Sequence, residues 1–122
     1  MTPKESQNMN ILIEAIKGRN LISFKYDREI RIVEPYLVGE LYSIHQNHLE
    51  ERKYALRAWF VRGYSSQSVD RKEGDRWRKY ELNKINEPDI LPEANKSIMP
   101  LYNKYDKDFK RINFHVSENA KQ

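Results

Sequence analysis

Cysteine is absent from these 122 residues, which excludes disulfides, zinc–thiolate centres and thiol catalysis. Glycine occurs only four times, and none of the GxGxxG, Walker, GxSxG or HExxH patterns is present. No apolar run reaches the length of about 20 residues that spans a bilayer. The opening Met1-Thr2-Pro3-Lys4-Glu5 lacks the basic-then-apolar form of a secretory leader. A cytoplasmic protein without membrane association is therefore expected. His45 and His48, with Glu50 and Glu51 close by, form the one cluster of metal-ligating types, and their spacing fits no ligand motif. Asp70, Glu73 and Asp75 lie in a charged stretch and read as solvated acids rather than a hydrolytic set. The expectation is a protein without metal, cofactor or enzymatic activity.

What the chain does have is charge and aromatic rings. Charged residues make up 33% of it and the net charge is +4, but the distribution is uneven. Nine basic residues between Arg52 and Tyr80 face three acidic ones, giving that segment +6 and the remainder −2. Clustered positive charge favours polyanions, nucleic acid first, although a solvated basic face would look the same. Two Trp, eight Tyr and four Phe are available, several beside basic residues, as in Lys25-Tyr26, Arg62 with Tyr64, and Arg76-Trp77-Arg78-Lys79-Tyr80. Rings interleaved with cations can hold single-stranded nucleic acid or nucleotides. Core packing claims most rings in small β domains, and Phe24, Tyr54, Phe60 and Tyr80 are assigned to the interior.

Thr2-Pro3-Lys4-Glu5 has the form of a capping box with proline at the first helical position. Met9, Leu12, Ile13 and Ile16 follow at helical spacing, predicting a helix over 3–17 that Gly18 ends. Residues 21–26 and 30–34 read as a hairpin around Asp27-Arg28-Glu29, with Pro35 closing its second strand and another short strand beginning there. A polar connection over 40–52 precedes a third strand at 54–63. A long loop over 63–76 follows, then a strand at 77–82 and a last segment around Ile90-Leu91. One helix and several short strands predict a mainly β, α+β protein, a strongly bent antiparallel sheet or small barrel, with the helix over one side or open end. Residues 92–122 read as a packed C-terminal extension with a frayed end, docked through Met99, Leu101, Tyr102, Tyr105, Phe109, Ile112 and Phe114.

The third strand carries the sharpest functional signal. By the two-residue period Tyr54, Leu56, Ala58 and Phe60 share one face, and Lys53, Ala55, Arg57, Trp59 and Val61 the other. Arg57 and Trp59 as same-face neighbours could grip a planar or anionic ligand, or could be a core indole with an arginine stem over it. Tyr36, Trp59, Tyr64 and Trp77 could alternatively line an aromatic groove for a protein partner.

The ordered set Ala15-Ile16, Ile22 to Tyr26, Arg31 to Gly39, Leu56-Arg57-Ala58-Trp59, and Trp77 to Leu82 with Lys84-Ile85 resembles a WYL domain over residues 9–91. The tripeptide that names that family reads Tyr54-Ala55-Leu56 here, and the helix-turn-helix domain that usually precedes it has no counterpart. The segment Tyr102 to Lys110 resembles the C-terminal part of short WYL-like proteins, so a standalone version is expected, with 1–91 as the WYL-like domain. The resemblance implies a small Sm-like or SH3-like antiparallel β-barrel. It further implies sensing of a nucleic-acid or nucleotide-type ligand in bacterial transcription control or phage defence. Carried onto this chain, the implied ligand residues are Tyr26, Arg31, Arg57, Trp59, Ser65 and Arg78. Arg31 and Arg57 would hold phosphate or base edges, Tyr26 and Trp59 would stack, and Ser65 would donate a hydrogen bond. Tyr26 shares a face with Ile22 and Phe24, so its ring could equally belong to the core. An SH3-like protein-interaction module is the alternative function, and exposed sheet edges leave room for a homodimer.

Overall fold

The computed structural model describes residues 1–42, 52–64 and 76–116. His45, His48, Glu50, Glu51, Ser65, Asp70, Glu73 and Asp75 lie outside the described residues. Helix α1 spans Pro3–Gly18, and both halves of its capping box form: Thr2 Oγ1 accepts from the Glu5 amide while Glu5 Oε1 accepts from the Thr2 amide. Arg19, rather than Gly18, takes the left-handed cap conformation at φ 57°. Met9, Leu12, Ala15 and Ile16 form the buried stripe of α1.

Strands β1 (Asn20–Tyr26) and β2 (Glu29–Leu41) make the expected hairpin. Its two turn residues, Asp27 and Arg28, both have positive φ, at 52° and 69°, as a two-residue turn joining right-twisted strands requires. Pro35 does not close β2. The strand runs through it to Leu41, and the register against the next strand shifts between Pro35 and Leu37. A proline is tolerated there because the bulge takes Tyr36 out of the ladder and bends the strand. The short strand expected to begin at Pro35 is thus the second half of β2.

β3 (Tyr54–Gly63) pairs with β2 on one side and with β4 (Trp77–Glu81) on the other. A 3-10 turn, Leu82–Lys84, leads to β5 (Asn86–Ala94), which pairs back with β1. β5 thus continues through Pro92, the position read as the start of the C-terminal extension. The extension itself contributes a strand that the sequence reading missed, β6 (Phe109–His115), laid along the second half of β2. The antiparallel order is β4-β3-β2-β1-β5, with β6 beside β1 on the same edge of β2.

The protein is therefore mainly antiparallel sheet with one N-terminal helix. No hydrogen-bonded ladder joins β4 to β5 among the described residues, and α1 packs against β2, β1, β5 and the 3-10 turn. Asn8 Nδ2 donates to the carbonyls of Leu82 and Ile85, at 2.8 and 3.0 Å, tying the helix to the 3-10 turn. The core gathers α1 residues with Ile22, Phe24, Val33, Leu37, Leu56, Phe60, Tyr80, Leu82 and Ile85. Phe24, Tyr54, Phe60 and Tyr80 are buried as expected. Among the described residues no helix is long and apolar enough to cross a membrane.

Candidate ligand-binding faces

The expected ligand residues do not form one site; the sheet divides them. In the β3–β4 ladder Tyr80 lies opposite Leu56 and Lys79 opposite Arg57, so Tyr80 and Arg57 belong to opposite faces. Arg31 sits directly across from Phe24 and its guanidinium lies 6.0 Å from the Tyr80 ring, on the Tyr80 face. Arg57 reaches Asp108 together with Lys79, on the other face. Arg31 and Arg57 therefore do not converge. The register shifts in the β2–β3 ladder broke the simple strand-to-strand alternation on which convergence depended.

On the first face Arg31 is ringed by tyrosines. Its guanidinium carbon lies 5.5 Å from the Tyr26 ring centroid, 4.9 Å from Tyr64 and 6.0 Å from Tyr80. The residue is only 5% exposed. Its Nη2 donates to the Tyr26 carbonyl at 3.1 Å, and Nε has no partner among the described residues. No carboxylate among the described residues pairs with it. Desolvating an ion costs several kcal/mol, and an exposed-to-buried cation–ring contact returns about 0.5–2 kcal/mol. Three such contacts offset much of that cost but supply no counter-charge.

Tyr26, Tyr64 and Tyr80 are positioned by different elements. Tyr26 ends β1; its hydroxyl accepts from the Glu81 amide at 3.0 Å, and its ring packs on Phe24 and Tyr80, as the core placement requires, while flanking Arg31. Tyr64 follows Gly63, whose φ of 102° and contact with the Ile30 carbonyl leave no room for a Cβ. That turn lets the Tyr64 amide bond to Ile30 O at 2.9 Å and lays the ring over Arg31. Burial raises the Tyr80 hydroxyl above its ordinary pKa, partly opposed by the charges of Arg31 and Arg78, which places both cations near one phenol. Arg78 is buried, stacks 5.9 Å from Phe60 and donates to the Trp77 carbonyl. Tyr64 and Tyr80 are the participants that sequence reasoning left out of this site; the glycine ending β3 was the available signal for the first.

The second face is covered by the chain itself. Arg57 Nε donates to Asp106 Oδ2 and its Nη2 to Asp108 Oδ2, both at 2.7 Å, leaving the side chain 18% exposed. Trp59 is buried and meets Trp77 edge-to-face at 5.3 Å, so the core reading of this indole is the one the geometry matches. Trp77 in turn contacts Tyr36 at 4.9 Å, and Tyr102 leans on both. Tyr36, Trp59 and Trp77 thus form the aromatic row expected of a groove. Tyr64 is not in it.

Beside this row lies a buried polar knot. Arg19 Nη2 donates to Glu34 Oε2 at 2.8 Å and to the Ser97 carbonyl at 3.1 Å; Tyr36 Oη donates to Glu34 Oε2 at 2.9 Å; Asn95 Nδ2 donates to Glu34 Oε1 at 3.2 Å. Both side chains of the ion pair are 2% exposed. Burial raises the Glu34 carboxyl above the usual range despite hydrogen bonds from Tyr36, Arg19 and Asn95. The knot pins residues 95–99 to the sheet, the Met99 amide donating to Tyr36 Oη. Comparison with family models, with curated proteins and with solved structures returned no match to this chain.

Proposed function

We propose that this protein is a non-enzymatic, WYL-like binding module that takes an anionic, ring-bearing ligand, a nucleotide or single-stranded nucleic acid, at the Arg31 face. One observation carries the reading: a nearly buried guanidinium with no carboxylate partner among the described residues, held among three tyrosine rings. An anion supplied from outside would complete the ion pairing that the described residues leave open, and a base would find rings to stack on. Arg78 adds a second cation beside Tyr80. Tyr26, Arg31 and Arg78 remain ligand residues in this reading, and Tyr64 and Tyr80 join them.

We also read the sheet as a small barrel of the SH3-like or Sm-like kind. The order of the five strands and the 3-10 turn linking the two outermost support this. Fluorescence anisotropy with short labelled single-stranded oligonucleotides, and with nucleotides as competitors, tests the function. Binding that falls steeply with added salt is expected. Absence of binding by either class at low salt contradicts it.

A further inference from the structure

The segment between the polar knot and β6 behaves as a bound peptide. It touches the second face through three kinds of contact at once. The Trp77 indole N–H donates to the Pro100 carbonyl at 2.8 Å. The Tyr102 ring leans on Tyr36 and Trp77, with centroids 5.0 and 5.8 Å away. Asp106 and Asp108 meet Arg57, and Asp108 lies 3.7 Å from Lys79. An indole N–H to a carbonyl next to proline, a row of rings for an aromatic side chain, and paired cations for acids are what a groove uses to read an extended peptide.

The same segment packs through Met99 and Tyr102 but not along its whole length. Leu101 has φ 67°, a left-handed conformation that costs a residue other than glycine about 1 kcal/mol or more. Leu101 and Tyr105 are 76% and 77% exposed, so two large apolar side chains expected to dock are instead held out in water. A cleft of about 240 Å³ remains between the segment and the sheet, lined by Arg57, Trp77, Tyr102 and Asp106 among others. Asn95 and β6 anchor the two ends.

We infer that this face is a peptide-binding groove occupied by the chain's own strap, and that its external partner is an acidic peptide carrying proline and tyrosine in the spacing of Pro100, Tyr102, Asp106 and Asp108. The strap competes with that partner, and the partner displaces it. This groove is independent of the Arg31 face and of whatever binds there.

The test uses the full chain and a labelled synthetic peptide with the sequence of residues 97–108. In the double variant Asp106→Asn, Asp108→Asn the strap loses its hold on Arg57. Peptide binding is expected to tighten about tenfold over the unaltered protein. Adding Arg57→Ala, or Trp77→Phe, which keeps a ring and removes the indole donor, should abolish that gain, whereas Arg31→Gln should not. A second variant with residues 99–105 replaced by a Gly-Ser chain of equal length gives the same reading if the double variant does not fold. Equal binding to altered and unaltered protein, or a gain insensitive to Arg57 and Trp77, overturns the proposal. So does an Arg57-dependent gain seen with single-stranded oligonucleotide and not with peptide, which would assign the groove to nucleic acid.

Discussion

Two arginines with similar sequence surroundings have opposite circumstances. Among the described residues Arg57 has two carboxylates and Arg31 has none; what separates them is which face of a bent sheet each one meets. Alternation along β3 correctly divided Arg57 from Leu56. It could not say that a segment about fifty residues later would deliver Asp106 and Asp108. Glu34 shows the same limit. Nothing local marks it as a buried acid, since its partners come from Arg19, Tyr36 and Asn95. Glu34→Ala would strand the Arg19 guanidinium in the interior, where two of its nitrogens already lack partners. A loss of about 3–5 kcal/mol is expected in urea denaturation, and a loss under 1 kcal/mol would show that the knot positions the strap without supporting the fold. The tyrosines give a pH prediction. Burial raises Tyr26, Tyr36 and Tyr80 above the ordinary value of 10.0. A pKa higher in the folded than in the unfolded state means that the associated stability is complete below pH 10 and is lost as pH rises through the folded values. Absorbance at 295 nm should show these three rings ionising late and together with unfolding; release of all eight in one step near pH 10 would contradict their burial.

Elements with a clean period were legible: α1 from its cap and apolar stripe, β3 from alternation, and the β1–β2 turn from its polar residues. The errors fall where tertiary contact overrides local grammar. Pro35 reads as a stop, yet a bulge absorbs it within β2. Ile112, Phe114 and Val116 alternate with polar residues at the strand period, a signal masked by the surrounding charges, and residues 109–115 become β6 where the second half of β2 offers an open edge. Gly39 makes that pairing close: a Cβ there would strike the Arg111 carbonyl and crowd Ile112. Gly39→Ala is therefore expected to push β6 outward at a cost of about 1–3 kcal/mol. Hydrogen exchange should speed up at the amides of residues 111–115 while those of β1 stay protected. Unchanged protection in β6 would mean that the strand shifts register without detaching.

For the whole molecule, composition told the broad class and topology told the arrangement. That a chain with fourteen aromatic residues and +6 over one stretch would set rings beside cations was legible. That the rings and cations fall into two sites on opposite sides of one sheet was not, because strand pairing order and bulges decide which residues share a face. On the proposed reading, the Arg31 face and the strap-covered face are two separable binding surfaces. The central claim concerns the first. The most direct test is the affinity of a labelled single-stranded oligonucleotide for the unaltered protein, for Arg31→Gln and for Arg57→Ala, each checked for an unchanged circular dichroism spectrum. The account predicts that Arg31→Gln loses binding by about tenfold or more and that Arg57→Ala retains it. Retention by Arg31→Gln, or loss confined to Arg57→Ala, would contradict it.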